Sequence, residues 1–289
     1  MQKIFYLILI LFASSCTSRL DVSDAIENVF QQAGKNRKEL EKVLKHYGKD
    51  PVDSLKLRAA EFLIVNMPGK YSEYYDAPWN DVATVKMRWT SVANYKQLLL
   101  DTYQLGSPII KSDIEHITAE YLINNIELAF RVWQEMPWGA TISFDVFCEE
   151  ILPYRISTEP LENWRAKALA TFADVYSSFR EDTTITAVEA CNRVNDRLPR
   201  FRMDKDFPVQ NFTQLMASTR GMCDNFTALT AFAMRGLGIP VTIDFTPKWV
   251  SLPTGHSWNS VRDSNGVHIS FMGTETNPGV PHQDTCIWL

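Results

Sequence analysis

The sequence predicts an α+β fold, with a long, mostly helical N-terminal region packed on a core of one helix and an antiparallel sheet. Three observations predict it. From Val22 to Phe201, apolar residues recur at helical spacing, with breaks at Pro or Gly and starts near Ser, Asp or Thr. An alanine-rich apolar run then follows Cys223 and closes at Gly236 and Gly238, where helices commonly stop. After Pro240 come three short strand-like runs, and Ser264-Asn265-Gly266 between the last two supplies the positive φ of a tight hairpin.

Ahead of the fold, residues 1–15 read as an export signal. Lys3 gives the positive start, Ile4 to Phe12 the apolar core, and Ala13-Ser14-Ser15-Cys16 a small-residue cleavage site. The apolar run is too short to span a bilayer, and no other segment reaches spanning length. A cysteine at this junction resembles the bacterial lipoprotein box, which implies cleavage before Cys16 and a lipid on its thiol. The alternative is an ordinary secretory signal with an incidental cysteine. Either way the mature chain is anchored to the cell envelope or secreted.

The helical region runs over 16–205. Ser23 can cap a helix continuing to Tyr47 and ending at Gly48, and Asp53 can cap the next, with Leu55, Ala59, Phe62 and Leu63 at helical spacing until Pro68. Further helices are expected over 81–105, 112–135, 143–151, 160–179 and 185–198. The core occupies 206–289, with strands at Val241 to Phe245, from His256, and at Val267 to Met272.

Composition fits a globular exported protein: 45% hydrophobic and 12% aromatic residues are enough for a sizeable core. A net charge of −5 without a basic stripe argues against a nucleic-acid partner. No CxxC, HExxH or glycine-rich phosphate loop points to a metal or cofactor, and none is expected. Beyond Cys16 and Cys223, Cys148 and Cys191 lie in apolar helical contexts and read as plain buried thiols. Cys286 completes an odd set that cannot all pair within one chain if Cys223 is free.

The chemistry concentrates between Gly221 and Glu275. A cysteine at a helix start lies near the positive end of the helix dipole, which favours thiolate, and an imidazole on a neighbouring strand can pair with it or take its proton. Gly221-Met222-Cys223, then a helix ending Arg235-Gly236-Leu237-Gly238-Ile239-Pro240, then Gly255-His256-Ser257-Trp258, together resemble the transglutaminase-like superfamily of cysteine enzymes. The resemblance covers about residues 211 to 275 and implies Cys223 as nucleophile and His256 as base. That family usually carries an Asp on the strand after the histidine to hold the imidazole, and 267–274 has none. Glu275 just downstream, Asp263 at the end of the histidine strand and Asp244 on the strand before it are the candidate orienters, or none of them is. Such a sheet also generally has further strands, so either the core is minimal or the chain is a truncated member.

For substrate binding, Trp258 either shields the imidazole or is a core tryptophan, and Asn225 and Asn259 are candidate oxyanion donors. Gln214 is a weaker candidate, more simply read as an exposed glutamine. Arg155 near Glu159 reads either as a cleft wall meeting a substrate carboxylate or, preferred, as a buried ion pair tying the helical layer to the core. The cluster Tyr71, Tyr74, Tyr75 and Trp79 is either a sugar- or peptide-binding platform or packing. The stretches 62–79 and 144–165 resemble those of exported transglutaminase-like lipoproteins of gut Bacteroidetes, which implies an outer-membrane anchor facing periplasm or exterior. Two functions stay open: a cysteine hydrolase or peptidase acting on amide bonds of a peptide or protein, or a non-catalytic module on the same fold that captures peptides or glycans. The bland alternative is that Cys223 and His256 are core residues.

Overall fold

The computed structural model describes residues 19–74, 108–203, 209–248 and 255–280. Residues 1–15, read above as an export signal, with Cys16, the helix expected over 81–105, Tyr75, Trp79 and Cys286 lie outside these residues.

Helix α1 spans Arg19–Ala33 and α2 spans Arg37–Tyr47, joined by a 3-10 turn at Gly34–Asn36. The single helix expected from Ser23 to Tyr47 is therefore broken. Gly34 sits at φ +54°, a left-handed conformation that ends α-helical propagation and is cheap only for glycine. The break has a structural use, because the Asn36 amide donates to the carbonyls of Ile114 and Ile117 at 3.1 and 2.9 Å. Asp50, not Asp53, supplies the cap before α3 (Ser54–Val65): its carboxylate accepts the Val52 N–H at 2.9 Å in a short 3-10 turn.

Strands β1 (Tyr71–Tyr74) and β2 (Ile109–Ser112) pair antiparallel where no strand was expected. The helix expected over 112–135 divides into α4 (Asp113–His116) and α5 (Ala119–Glu135). Thr118 between them is extended, and its hydroxyl accepts the Tyr121 N–H at 3.2 Å, so a fresh N-cap starts α5. Helix α6 (Phe144–Glu150) falls where expected. The stretch 160–179 holds two helices, α7 (Trp164–Thr171) and α8 (Ala173–Glu181), because Phe172 leaves helical geometry to bury its ring. Helix α9 (Ala187–Asn195) opens on a reciprocal Thr186–Glu189 capping box.

The C-terminal part begins with β3 (Arg202–Met203), α10 (Phe212–Ser218) and β4 (Arg220–Gly221). Strands β3 and β4 run parallel, with Met203 opposite Gly221. Helix α11 (Cys223–Gly236) follows, then the antiparallel sheet β5 (Val241–Thr246), β6 (His256–Arg262), β7 (His268–Phe271) in that order. Helix and sheet match the expected layout within a residue or two at each end.

One hydrophobic cluster runs from Ile26 in α1 to Phe271 in β7. Every residue of α11 from Phe226 to Gly236 is buried, between α7 on one side and β5 and β6 on the other. Polar ties cross the same boundary. The Trp138 indole donates to the Gly238 carbonyl at 2.7 Å, and Glu150 of α6 pairs with Arg262 and His268 at the far end of the sheet. Arg165 of α7 is buried, and among the described residues none of its acceptors is a carboxylate. It donates to Asn125 at 2.7 Å, to the carbonyls of Arg235 and Pro153 at 2.9 and 3.1 Å, and to that of Ile151. Burial, and then the nearby charge of Arg235, push its pKa down to about 9.

Candidate functional site

Cys223 is the first residue of α11 and is half-buried. Gly221 sets how the chain reaches it. It lies at φ +152°, and a Cβ there would fall 2.3 Å from the Asn225 side-chain oxygen. That oxygen accepts the Met222 N–H at 3.0 Å and so closes the first turn of the helix. The small residue two before the cysteine is thus explained by backbone geometry. Gly221→Ala is expected to cost about 2 kcal/mol, read as a lowered urea midpoint at unchanged m-value. An unchanged midpoint would mean the turn tolerates a side chain.

At the start of α11, Asp224 of its first turn bonds Ser257 of β6. The Ser257 hydroxyl donates to Asp224 Oδ1 at 2.7 Å and lies 3.4 Å from the Thr227 hydroxyl, while Cys223 Sγ is 3.9 Å from the same Asp224 oxygen. Strand alternation explains the choice of Ser257. Ser257, Asn259 and Val261 of β6 face α11, with Val261 in the core and Asn259 donating to the Thr227 carbonyl at 3.1 Å. His256, Trp258 and Ser260 have the opposite parity. Ser260 bonds Asp244 across to β5, and the rings of His256 and Trp258 lie 6.1 Å apart at 31°. Nε2 of His256 is buried. The chain therefore brings thiol, carboxylate and serine hydroxyl together directly, and carries the imidazole on the adjoining residue of the same strand.

The three acids have different places. Asp244 shares the His256 face of the sheet, one cross-strand pair away, and its carboxylate accepts the Ser260 hydroxyl and, at 3.2 Å, that of Thr242. Asp263 is corrected as an orienter. It lies seven residues along, roughly 20 Å away at strand rise, and its carboxylate accepts the N–H groups of Val267 and Asn265 at 2.8 and 2.9 Å. Those bonds hold its carboxyl below the usual carboxylate range. Glu275 is exposed in the turn after β7, at the His256 end of the sheet, where Arg200 grips its backbone carbonyl at 2.8 Å.

Two binding candidates change role. Asn259 is 0% exposed and its amide is spent inside the core, so it does not reach a substrate. Gln214 is half-buried and forms a capping box with Asn211. Arg155 is 5% exposed and buried against Asp113, at 2.5 and 2.6 Å, with the Ser72 hydroxyl at 2.8 Å and the Glu159 carbonyl at 2.7 Å. This is a buried ion pair, but with Asp113 as its main partner and with all its described partners inside the helical region, not a tie to the 206–289 core; the Glu159 carboxylate stands 3.8 Å off and accepts the N–H groups of Ile156 and Ser157. Among the described residues no cluster of His, Cys, Asp or Glu is arranged to hold a metal ion, and no helix is long and apolar enough to cross a membrane.

Asp224 and Ser257 are the site residues that motif reading missed. The pattern alone is ambiguous, since Trp258 and Val261 have opposite parity; the burial of Val261 places Ser257 on the inner face. No protein-family model, curated protein or solved structure matches the chain.

Proposed function

We propose that this chain is an exported cysteine hydrolase with a transglutaminase-like core, anchored to the cell envelope through Cys16 and acting on amide bonds of peptides or proteins. The observation that carries this reading is the partly exposed thiol at the first position of a buried helix whose start is bonded to the strand bearing His256. Cys223 Sγ, as thiolate, attacks the amide carbonyl. The C–N bond of the tetrahedral adduct then breaks, His256 gives a proton to the departing amine, and a thioester remains. Water, losing its proton to His256, releases the acid and restores the thiol. Mass spectrometry of a peptide mixture tests this: new termini are expected with the wild type and none with Cys223→Ala, and equal products would sink the proposal.

A second reading, a binding module on the same fold, is favoured by a specific observation. The Asp224 carboxylate, itself bonded to the Ser257 hydroxyl, stands 3.9 Å from Sγ, a like charge beside the nucleophile. His256→Ala separates the two. Under the enzyme reading it slows iodoacetamide labelling of Cys223 about tenfold at neutral pH. Unchanged labelling supports the binding module.

A further inference from the structure

Three large apolar side chains that the fold leaves in solvent lie on segments that border the start of α11. Met203 is 69% exposed, Met222 37% and Phe245 73%. They come from three separate chain segments. Met203 is paired across the parallel ladder with Gly221, about 4.8 Å away between strands. Met222 directly precedes the thiol residue. Phe245 stands opposite Ser257 in the β5–β6 register, so it shares the face on which Ser257 bonds Asp224. Along β5 its parity is that of Val241, which is fully buried, and Ile243, which packs against the core. Phe245 therefore lies where the inner face of the sheet runs past the covered part of α11 and opens at the helix start.

Single exposed apolar residues are ordinary, whereas several bordering one nucleophile mark a surface meant to be covered. Methionine adapts to varied shapes, and a phenylalanine ring offers a rigid flat wall. The Asp224 carboxylate, bonded to Ser257 at the same helix start, repels an acidic neighbour. Resting on the reading of Cys223 as nucleophile, we infer that Met203, Met222 and Phe245 form the specificity surface of this site, and that it selects substrates carrying a neutral, apolar side chain beside the reacting carbonyl.

Two neutral alkylating agents with the same warhead test this in the mature protein: iodoacetamide and its N-phenethyl derivative. The ratio of their rates at Cys223 is compared with the ratio for free glutathione. Covering part of a phenyl ring corresponds to about a tenfold preference, so the wild-type ratio is expected to exceed that of glutathione about tenfold. Phe245→Ser and Met203→Ser are each expected to remove most of it, with urea midpoints unchanged because both side chains are exposed. A wild-type ratio equal to that of glutathione overturns the specificity surface while leaving the nucleophile in place. Failure of both reagents to label Cys223 overturns the nucleophile, and the specificity surface with it.

Discussion

In the native protein at about pH 7.5, iodoacetamide is expected to label Cys223 roughly a hundredfold faster than Cys148 or Cys191. The contrast comes from burial. Cys148 is 3% exposed and Cys191 0%, against a half-buried Cys223 at a helix start. Burial pushes the Cys148 thiol up to about 12 and the Cys191 thiol well above its ordinary value, so both react only when the chain opens. The sharper arm concerns Asp224. Its carboxylate is 3.9 Å from Sγ, and Asp224→Asn removes that negative charge from beside the attacking sulfur. Labelling of the variant is expected to accelerate about three- to tenfold at neutral pH, an allowance reduced for solvent screening at this exposed residue. Slower labelling would mean that Asp224 draws the proton from the thiol and belongs among the reacting groups.

Arg155→Met is expected to destabilise the fold by about 3–5 kcal/mol, the usual consequence of stripping one partner from a buried ion pair. The guanidinium holds both oxygens of Asp113, and its loss leaves that carboxylate, 1% exposed, with the Tyr154 hydroxyl at 3.0 Å as its remaining described side-chain partner. Glu159, also buried, loses its counter-charge. Chemical denaturation reads the effect directly. Arg155→Lys is expected to recover only part of it, because an ammonium cannot reproduce the two-pronged contact. A loss below about 1 kcal/mol would show that water or a neighbour rescues the acids.

How far the sequence could be read depended on the range of the interaction. The helix starting at Cys223 and its three strands were legible because their signals are local: glycine stops, Pro240, a β-branched run and an Asn-Gly turn. The helical region was read too coarsely. Its apolar period continues through Gly34, Ile117 and Phe172, and the breaks there are set by a left-handed backbone, a threonine cap and a ring drawn into the core. Arg155 was read as a buried pair, but its main partner is 42 residues away, beyond any spacing rule. At the site, the motif pointed to Cys223 and His256. Strand parity, set by where Val261 enters the core, brings Ser257 onto Asp224 at the helix start, and the same alternation places Asn259 in the interior.

Because α11 is enclosed by α7 on one side and by β5 and β6 on the other, the amide hydrogens of Leu229 to Met234 have no local route to solvent. Their exchange requires opening of the whole molecule rather than fraying of one element. The orientation of the helix that presents Cys223 therefore persists as long as the folded state does, and the thiol end is the part of that helix left to respond to whatever binds.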